Sequence, residues 1–395
     1  MRVSLLQQNL ARGLSIVARA VESRPSLPVL QNVLLRCEDA SLQLVATDLR
    51  LTISYAVGAK IDEAGEMTLP ARTLVDFVNQ LAPERVDLSL DREKQQMNIR
   101  CGGAVSNIKG VDAQEFPLVP EAAPVRFHIA ARELKQMIRQ TTFAAAAEDT
   151  RPILTGVYTS LEGNVLTMAA ADGYRLAVRT AQLDAVEMPA QSTNGAGHEM
   201  VIPARALREL ERILVDDDEL IGVSLPDERM LVTFHSKDLQ LSSQLLDGKF
   251  PDFAAIIPDD YSTCTVLDRE DLLRACRRSE IFARDSAHST TLVVQPAEEE
   301  GAAGSIVTRG RSSERGDFEG SLPANVDGET LEISFNVRYL IDVLNILDSE
   351  QVRFESSGPS NPGVIRPVFA SEGETDDGAS DRFIHVIMPM SVSGR

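Results

Sequence analysis

Leu69-Pro70-Ala71-Arg72-Thr73-Leu74, Ile202-Pro203-Ala204-Arg205-Ala206-Leu207 and Phe335-Asn336-Val337-Arg338-Tyr339-Leu340 are three versions of one pattern. Each follows a short strand-like entry: Glu66-Met67-Thr68, Glu199-Met200-Val201 and Glu332-Ile333-Ser334. Pro70 and Pro203 lie 133 residues apart, and Pro203 and Asn336 lie 133 apart again, in a chain of 395. A repeat of one third of the chain means duplicated domains, not a short-period solenoid.

The residues after each mark have helical spacing. Leu74, Val78 and Leu81 share a face, as do Leu207, Leu210 and Leu214, and Leu340, Leu344 and Leu347. A second helix opens each third, predicted over 7–21, 131–147 and 268–284 on Leu10/Leu14/Val17, Leu134/Ile138 and Leu272/Cys276. Alternating runs precede them at Val3/Leu5, Phe127/Ile129 and Cys264/Val266. Further alternation at 42–45, 97–101, 231–234 and 386–388, broken by Gly, Asp and Asn, predicts antiparallel strands. The expected fold is α+β: three similar domains, each with two helices packed on antiparallel strands. Their expected spans are 1–122, 126–258 and 262–395, with the Pro-rich segments 117–124 and 257–260 as linkers. Stretches 188–198, 296–320 and 355–381, rich in Gly, Ser, Pro and acid, are expected to be surface loops.

Composition narrows the class. The chain is 43% apolar and carries a net charge of −20, which excludes a simple basic nucleic-acid coat protein. Cysteines 37, 101, 264 and 276 have no metal-ligand spacing and read as reduced thiols of a cytoplasmic protein. No stretch has the length of a membrane span, and the first residues lack the apolar run of a signal peptide. Tryptophan is absent and aromatics are 5%, so base stacking is not the expected mode of any nucleic-acid contact.

The charge is unevenly placed. The six helix windows (7–21, 71–81, 131–147, 204–214, 268–284, 337–348) hold 15 basic and 10 acidic residues, so the remainder carries −25. Helices that bury one stripe on a sheet expose the other. Two readings stay open: a surface facing a polyanion through its phosphates, or cations that solvate helix faces.

Enzyme signatures are missing. There is no GxxxxGK[ST] loop and no GxSxG, and the histidines at 128, 198, 235, 288 and 385 are scattered. Asp216-Asp217-Asp218-Glu219 is a candidate cation cluster or a solvated turn; Asp172-Gly173 is a candidate carboxylate site or a turn. No catalytic residue, metal or cofactor is expected. The rival classes are a metal-dependent enzyme using those carboxylates and a three-repeat interaction scaffold without DNA.

Further signatures run the length of the chain. They are Arg24-Pro25-Ser26-Leu27-Pro28-Val29-Leu30, Phe116-Pro117, Ala171-Asp172-Gly173-Tyr174-Arg175-Leu176-Ala177, Gly248-Lys249-Phe250-Pro251-Asp252-Phe253 and Val386-Ile387-Met388-Pro389-Met390. In this order, on a threefold repeat, the chain resembles the bacterial DNA polymerase III beta subunits, the replicative sliding clamps. The resemblance implies a head-to-tail, ring-shaped homodimer around double-stranded DNA, helices lining the hole. Such a ring would confer processivity without catalysis and would be opened by an ATP-driven clamp loader. It would serve the polymerase III catalytic subunit, other polymerases and repair proteins through a short clamp-binding peptide.

Carried over by motif, the implied peptide pocket is Leu154, Gly173, Tyr174, Arg175, Leu176, Pro251, Ile256, Asn336, Tyr339, Val386, Met388, Pro389 and Met390. Aliphatic side chains and methionine suit an adaptable socket; core packing is the alternative for most of them. Implied DNA contacts are Arg24, Arg72, Arg205 and Lys249. The loop 148–153 departs from the family pattern at Glu148, Pro152 and Ile153. The implied dimer contact involves Ile108 of the first domain and Ile281 and Phe282 of the third.

Overall fold

The computed structural model describes all residues except 23–25, 39, 120–122, 149, 185–197, 216–218, 226–229, 298, 300–301, 370–381 and 391–395. Arg24 and Asp216–Asp218 therefore lie outside the described residues, as does most of the stretch 188–198. All named strand pairs are antiparallel, and six α-helices occur among the described residues: α1 Gln7–Val17, α2 Ala71–Asn79, α3 Ala131–Thr142, α4 Ala204–Ile213, α5 Arg269–Ala283 and α6 Val337–Ile346. This is the α+β class, with two helices in each third. No helix among the described residues is long and apolar enough to cross a membrane.

Contacts divide the chain into two compact units. The first holds 1–134, 183–195 and 205–245; the second holds 135–182, 196–204 and 246–395. The first contains a five-stranded sheet in the order 60–63, 2–6, 85–91, 96–101, 104–109. It also contains an eight-stranded sheet, 66–70, 32–38, 41–47, 51–58, 239–244, 231–235, 220–224, 127–130. The second unit has one twelve-stranded sheet. Its first eight strands, 198–203, 156–162, 165–171, 175–182, 383–387, 363–368, 351–356 and 263–268, repeat that order. Both sheets thus splice one repeat to the next by the same rule. The strand after the turn (51–58 or 175–182) pairs with the last strand of the following repeat (239–244 or 383–387).

Helix formation follows the spacing read from the sequence. Leu10, Leu14 and Val17 of α1 are fully buried, each worth about 1.5–3 kcal/mol of transfer free energy. At Gly13 a side chain would lie 2.7 Å from Val57 and 2.8 Å from Leu44, so glycine lets α1 sit close on the sheet. Asp268 caps α5 by accepting from the Asp271 N–H, and Asn336 caps α6 by accepting from the Arg338 N–H. The helix expected to run to residue 147 ends at Thr142. The Thr141 hydroxyl donates back to the Met137 carbonyl, the local bonding that makes threonine a poor helix continuer.

Two expectations are corrected. Stretch 296–320 is not a plain loop: Gly304–Ser312 pairs with Gly316–Gly328 in a long hairpin, and within 355–381 Gly363–Val368 is a strand. Along 316–328 the less exposed residues are the even-numbered ones from Phe318 to Val326, alternating with exposed odd-numbered ones, while the Gly, Ser and acidic residues of the stretch give it a loop-like composition. Ile108 is only 6% exposed, opposite Met97, so within one chain its side chain packs into the first unit and does not stand free at the surface. On that strand the large exposed apolar residue is Val105.

Candidate partner-peptide site

Most of the implied pocket residues converge around one turn. Strand 165–171 passes to strand 175–182 through Asp172-Gly173-Tyr174. The Asp172 carboxylate accepts from the backbone N–H groups of Tyr174 and Arg175 at 2.9 and 3.1 Å. Gly173 has φ +94°, the left-handed region that only glycine enters at little cost. The turn therefore throws Tyr174 outward, 65% exposed, and turns Arg175 inward. Asp172 thus accepts three hydrogen bonds here, two from the turn's backbone and one from the Arg175 side chain.

Arg175 is the most constrained polar group of the site. Its Nε donates to Asp172 at 3.0 Å, Nη1 to Asp342 of α6 at 2.6 Å, and Nη2 to the Phe143 carbonyl at 2.9 Å. Its guanidinium carbon lies 4.4 Å from the Tyr339 ring centroid and 5.4 Å from that of Phe143. Burial, and then the Asp172 charge, push the Tyr339 phenol above its ordinary pKa, so it stays protonated.

Below this clasp lies an apolar floor. Leu154, Leu176 and Val386 belong to one buried cluster with Val201, Phe250 and Val364. The core alternative therefore holds for these three as side chains, and they serve the site as its base. Met388, held beside the turn, is 43% exposed; Ile256, 39% exposed, and Pro251 are exposed apolar residues flanking the buried Phe250 in sequence. Pro389 and Met390 are half-buried. Two backbone bonds hold the chain there: Met388 N–H to the Tyr174 carbonyl at 2.8 Å and Met390 N–H to the Ser334 carbonyl at 2.8 Å. Asn336 is placed beside them as the cap of α6.

The same junction recurs in the first unit with different chemistry. Asp48 accepts from Arg50 and Leu51 N–H as Asp172 does from Tyr174 and Arg175, and Gln244 N–H donates to the Arg50 carbonyl as Met388 does to that of Tyr174. Leu49, φ +74°, occupies the place of Gly173. Leu51 stands where Arg175 does, Ala206 where Tyr339 does, and Gln244 where Met388 does. The clasp and the methionine are specific to the second unit.

The basic residues are more scattered. Arg72 is 95% exposed, with only Asp76 at 3.9 Å; Arg205 is bound to Asp48 at 2.7 Å; Lys249 is exposed. Sequence reading passed over Arg338, although the repeat aligns it with Arg72 and Arg205. It is 56% exposed, with Glu280 at 3.4 Å. Asp342 and Phe143 were passed over as well, because their role lies in what they do to Arg175.

Among the strand edges without a partner in the described residues, two stand at the ends of the repeat series. Strand 104–109 ends its sheet, and residues 316–323 pair on one side only, with 304–312. Near the second edge, Phe282 stacks on Phe318 at 6.3 Å and Ile281 is 51% exposed.

Comparison with known proteins places this architecture. Family models for the DNA polymerase III beta subunit match residues 1–120 (N-terminal domain), 128–252 (central domain) and 254–391 (C-terminal domain). The beta sliding clamp of Pseudomonas aeruginosa is 32% identical over 392 residues, covering 99% of this chain and all of the relative. That of Bacillus subtilis is 31% identical over 377 residues, covering 93% and 96%. The crystal structure of the Bacillus subtilis sliding clamp matches with a TM-score of 0.88 at 29% identity over 99% of both chains. The Pseudomonas aeruginosa beta subunit matches with 0.86 at 30% identity over 99% and 100%. With its repeated sheet order and all three family domains matched along its length, the chain belongs to the bacterial DNA polymerase III beta subunit family, the beta sliding clamps.

Proposed function

We propose that this chain is the subunit of a DNA sliding clamp: two copies joined head to tail close a ring around duplex DNA and tether a polymerase to it. The observation that carries the reading is the unfilled third junction. At both internal junctions the strand after the turn pairs with the last strand of the next repeat. The third repeat offers the corresponding edge, 316–323, and the first repeat offers its last strand, 104–109, each without a partner on that side among the described residues. Exposed edges of this kind invite pairing with another chain. Head-to-tail pairing of two copies fills both open junctions and closes the assembly. Val105, Ile281 and Phe282 would then lie in the contact, with Ile108 supporting the strand from inside. The domain spans 1–122, 126–258 and 262–395 are the six ring segments of two copies.

Within that ring the helices face the DNA. Arg72 and Arg338 offer exposed guanidinium groups; Arg24, Arg205 and Lys249 complete the proposed contacts. Such contacts to phosphates are weak and blind to sequence, which lets a closed ring slide. The chain needs no catalytic group for this task, and the rest of the surface, net acidic, repels DNA. The site around Arg175 takes the short peptide of the polymerase III catalytic subunit, of the loader and of other polymerases and repair proteins, with the apolar floor and Met388 receiving its anchors.

Sedimentation tests the junction argument. The wild-type chain of 43.1 kDa sediments as a dimer, and Val105→Asp with Ile281→Asp sediments as a folded monomer. A monomeric wild type at micromolar concentration overturns the ring.

A further inference from the structure

We infer that Arg175 is a positioning residue, not an anchor for a charge on the partner: it fixes the Tyr339 wall of the site, so the site takes apolar peptides without needing a carboxylate on them. The inference rests on the peptide-site reading above and deepens it.

A lone arginine in an apolar pocket ordinarily suggests a fork for a carboxylate. Here the fork is already occupied. Each of its three nitrogens donates a bond, to Asp172, Asp342 and the Phe143 carbonyl, and the side chain is only 10% exposed. Two carboxylates face one guanidinium, so the cluster carries a net negative charge, and Asp342, 44% exposed, turns part of it to the rim. An incoming carboxylate would meet that charge before any free N–H. One face of the guanidinium is covered by the Tyr339 ring at 4.4 Å. Stacking of this kind is worth about 0.5–2 kcal/mol, enough to hold one ring orientation. The bond to Phe143 ties the end of α3, the turn at 172–175 and α6 into one frame.

The repeat supplies an internal control. At the matching junction of the first unit Leu51 replaces Arg175 and Ala206 replaces Tyr339, while the turn and its backbone bonds remain. The turn therefore folds without the arginine. Arginine and tyrosine are present together or absent together, as expected of a pair that shapes one site.

The experiment uses the full chain and a fluorescein-labelled hexapeptide with two leucines and a C-terminal phenylalanine, made as free acid and as amide. Fluorescence anisotropy reads Kd. The two forms should bind the wild type within about twofold of each other, with little change between low and moderate salt. Arg175→Gln should weaken both forms alike, by about tenfold, and Tyr339→Leu likewise. The double variant should be no weaker than either single one, since both remove the same wall. Asp342→Asn, altered at the exposed side of the clasp, is the companion variant should Arg175→Gln not fold; it should weaken both forms by about threefold. Loss confined to the free acid in either variant, an unchanged Kd in both, or additive losses in the double variant would overturn the positioning role. A wild type that binds neither form, or binds as well without Met388–Met390, would overturn the peptide site itself and the inference with it.

Discussion

His385 makes the second unit acid-sensitive, and the size of the effect can be worked out. The ring is fully buried on strand 383–387, 5.2 Å from the Phe143 ring, and neither ring nitrogen has a hydrogen-bond partner. Burial, and then the positive charge of Arg175, push its pKa down from 6.5 to about 3; the nearby Leu176 backbone offsets this slightly. A base with a depressed folded pKa stays neutral in the native state while the unfolded chain takes up a proton. Stability is therefore intact above pH 6.5, falls as pH drops below it, and the loss levels off near pH 3. One pKa unit is about 1.4 kcal/mol, so the cost at pH 5 is about 2 kcal/mol. His385→Leu removes both the titration and two unsatisfied nitrogens, so it should be neutral or stabilising at pH 7. Four of the five tyrosines (158, 174, 261 and 339) lie in the second unit, so tyrosine fluorescence during urea unfolding reports it well. The variant should gain about 2 kcal/mol over wild type on going from pH 7 to pH 5. The difference between the two proteins cancels every other titrating group. An equal gap at both pH values would refute the reasoning and return His385 to an ordinary pKa.

Three further outcomes are expected. Leu49→Gly should stabilise the first unit by about 0.5–1 kcal/mol in urea melts, because a left-handed leucine at φ +74° costs more than glycine's extra freedom. Deleting Met388–Met390 should abolish peptide binding while leaving sedimentation as a dimer, since those residues line the site and not the proposed chain contact. Arg72→Ala and Arg338→Ala should each lower the salt slope of DNA binding by about one phosphate contact, whereas Arg205→Ala, already paired with Asp48, should lower it less.

Much of this architecture is legible in the sequence, and its limits are physical. The marks at Pro70, Pro203 and Asn336 locate α2, α4 and α6 because strand entry and apolar helix spacing are local signals. Helix ends are less legible: α3 ends at Thr142, and the Phe143 carbonyl just beyond it accepts from Arg175. The pairing of 51–58 with 239–244 and of 175–182 with 383–387 joins residues about 200 apart, which no local pattern announces. Ile108 lies on an edge strand whose inward side is marked only by Ser106 and Ile108, too short an alternation to show from the sequence which way its side chain points. Arg175 reads as a charge in a pocket until Asp342, far along the chain, is brought against it.

The central claim is topological, and topology can be measured. The protein is loaded onto nicked circular DNA with a compatible clamp loader and ATP, free protein is removed, and half of the sample is linearised. Retention on the circles with loss from the linear ends is the predicted result, because a closed ring slides off an end. Equal retention on circles and linear molecules would mean ordinary contact binding and would contradict the clamp.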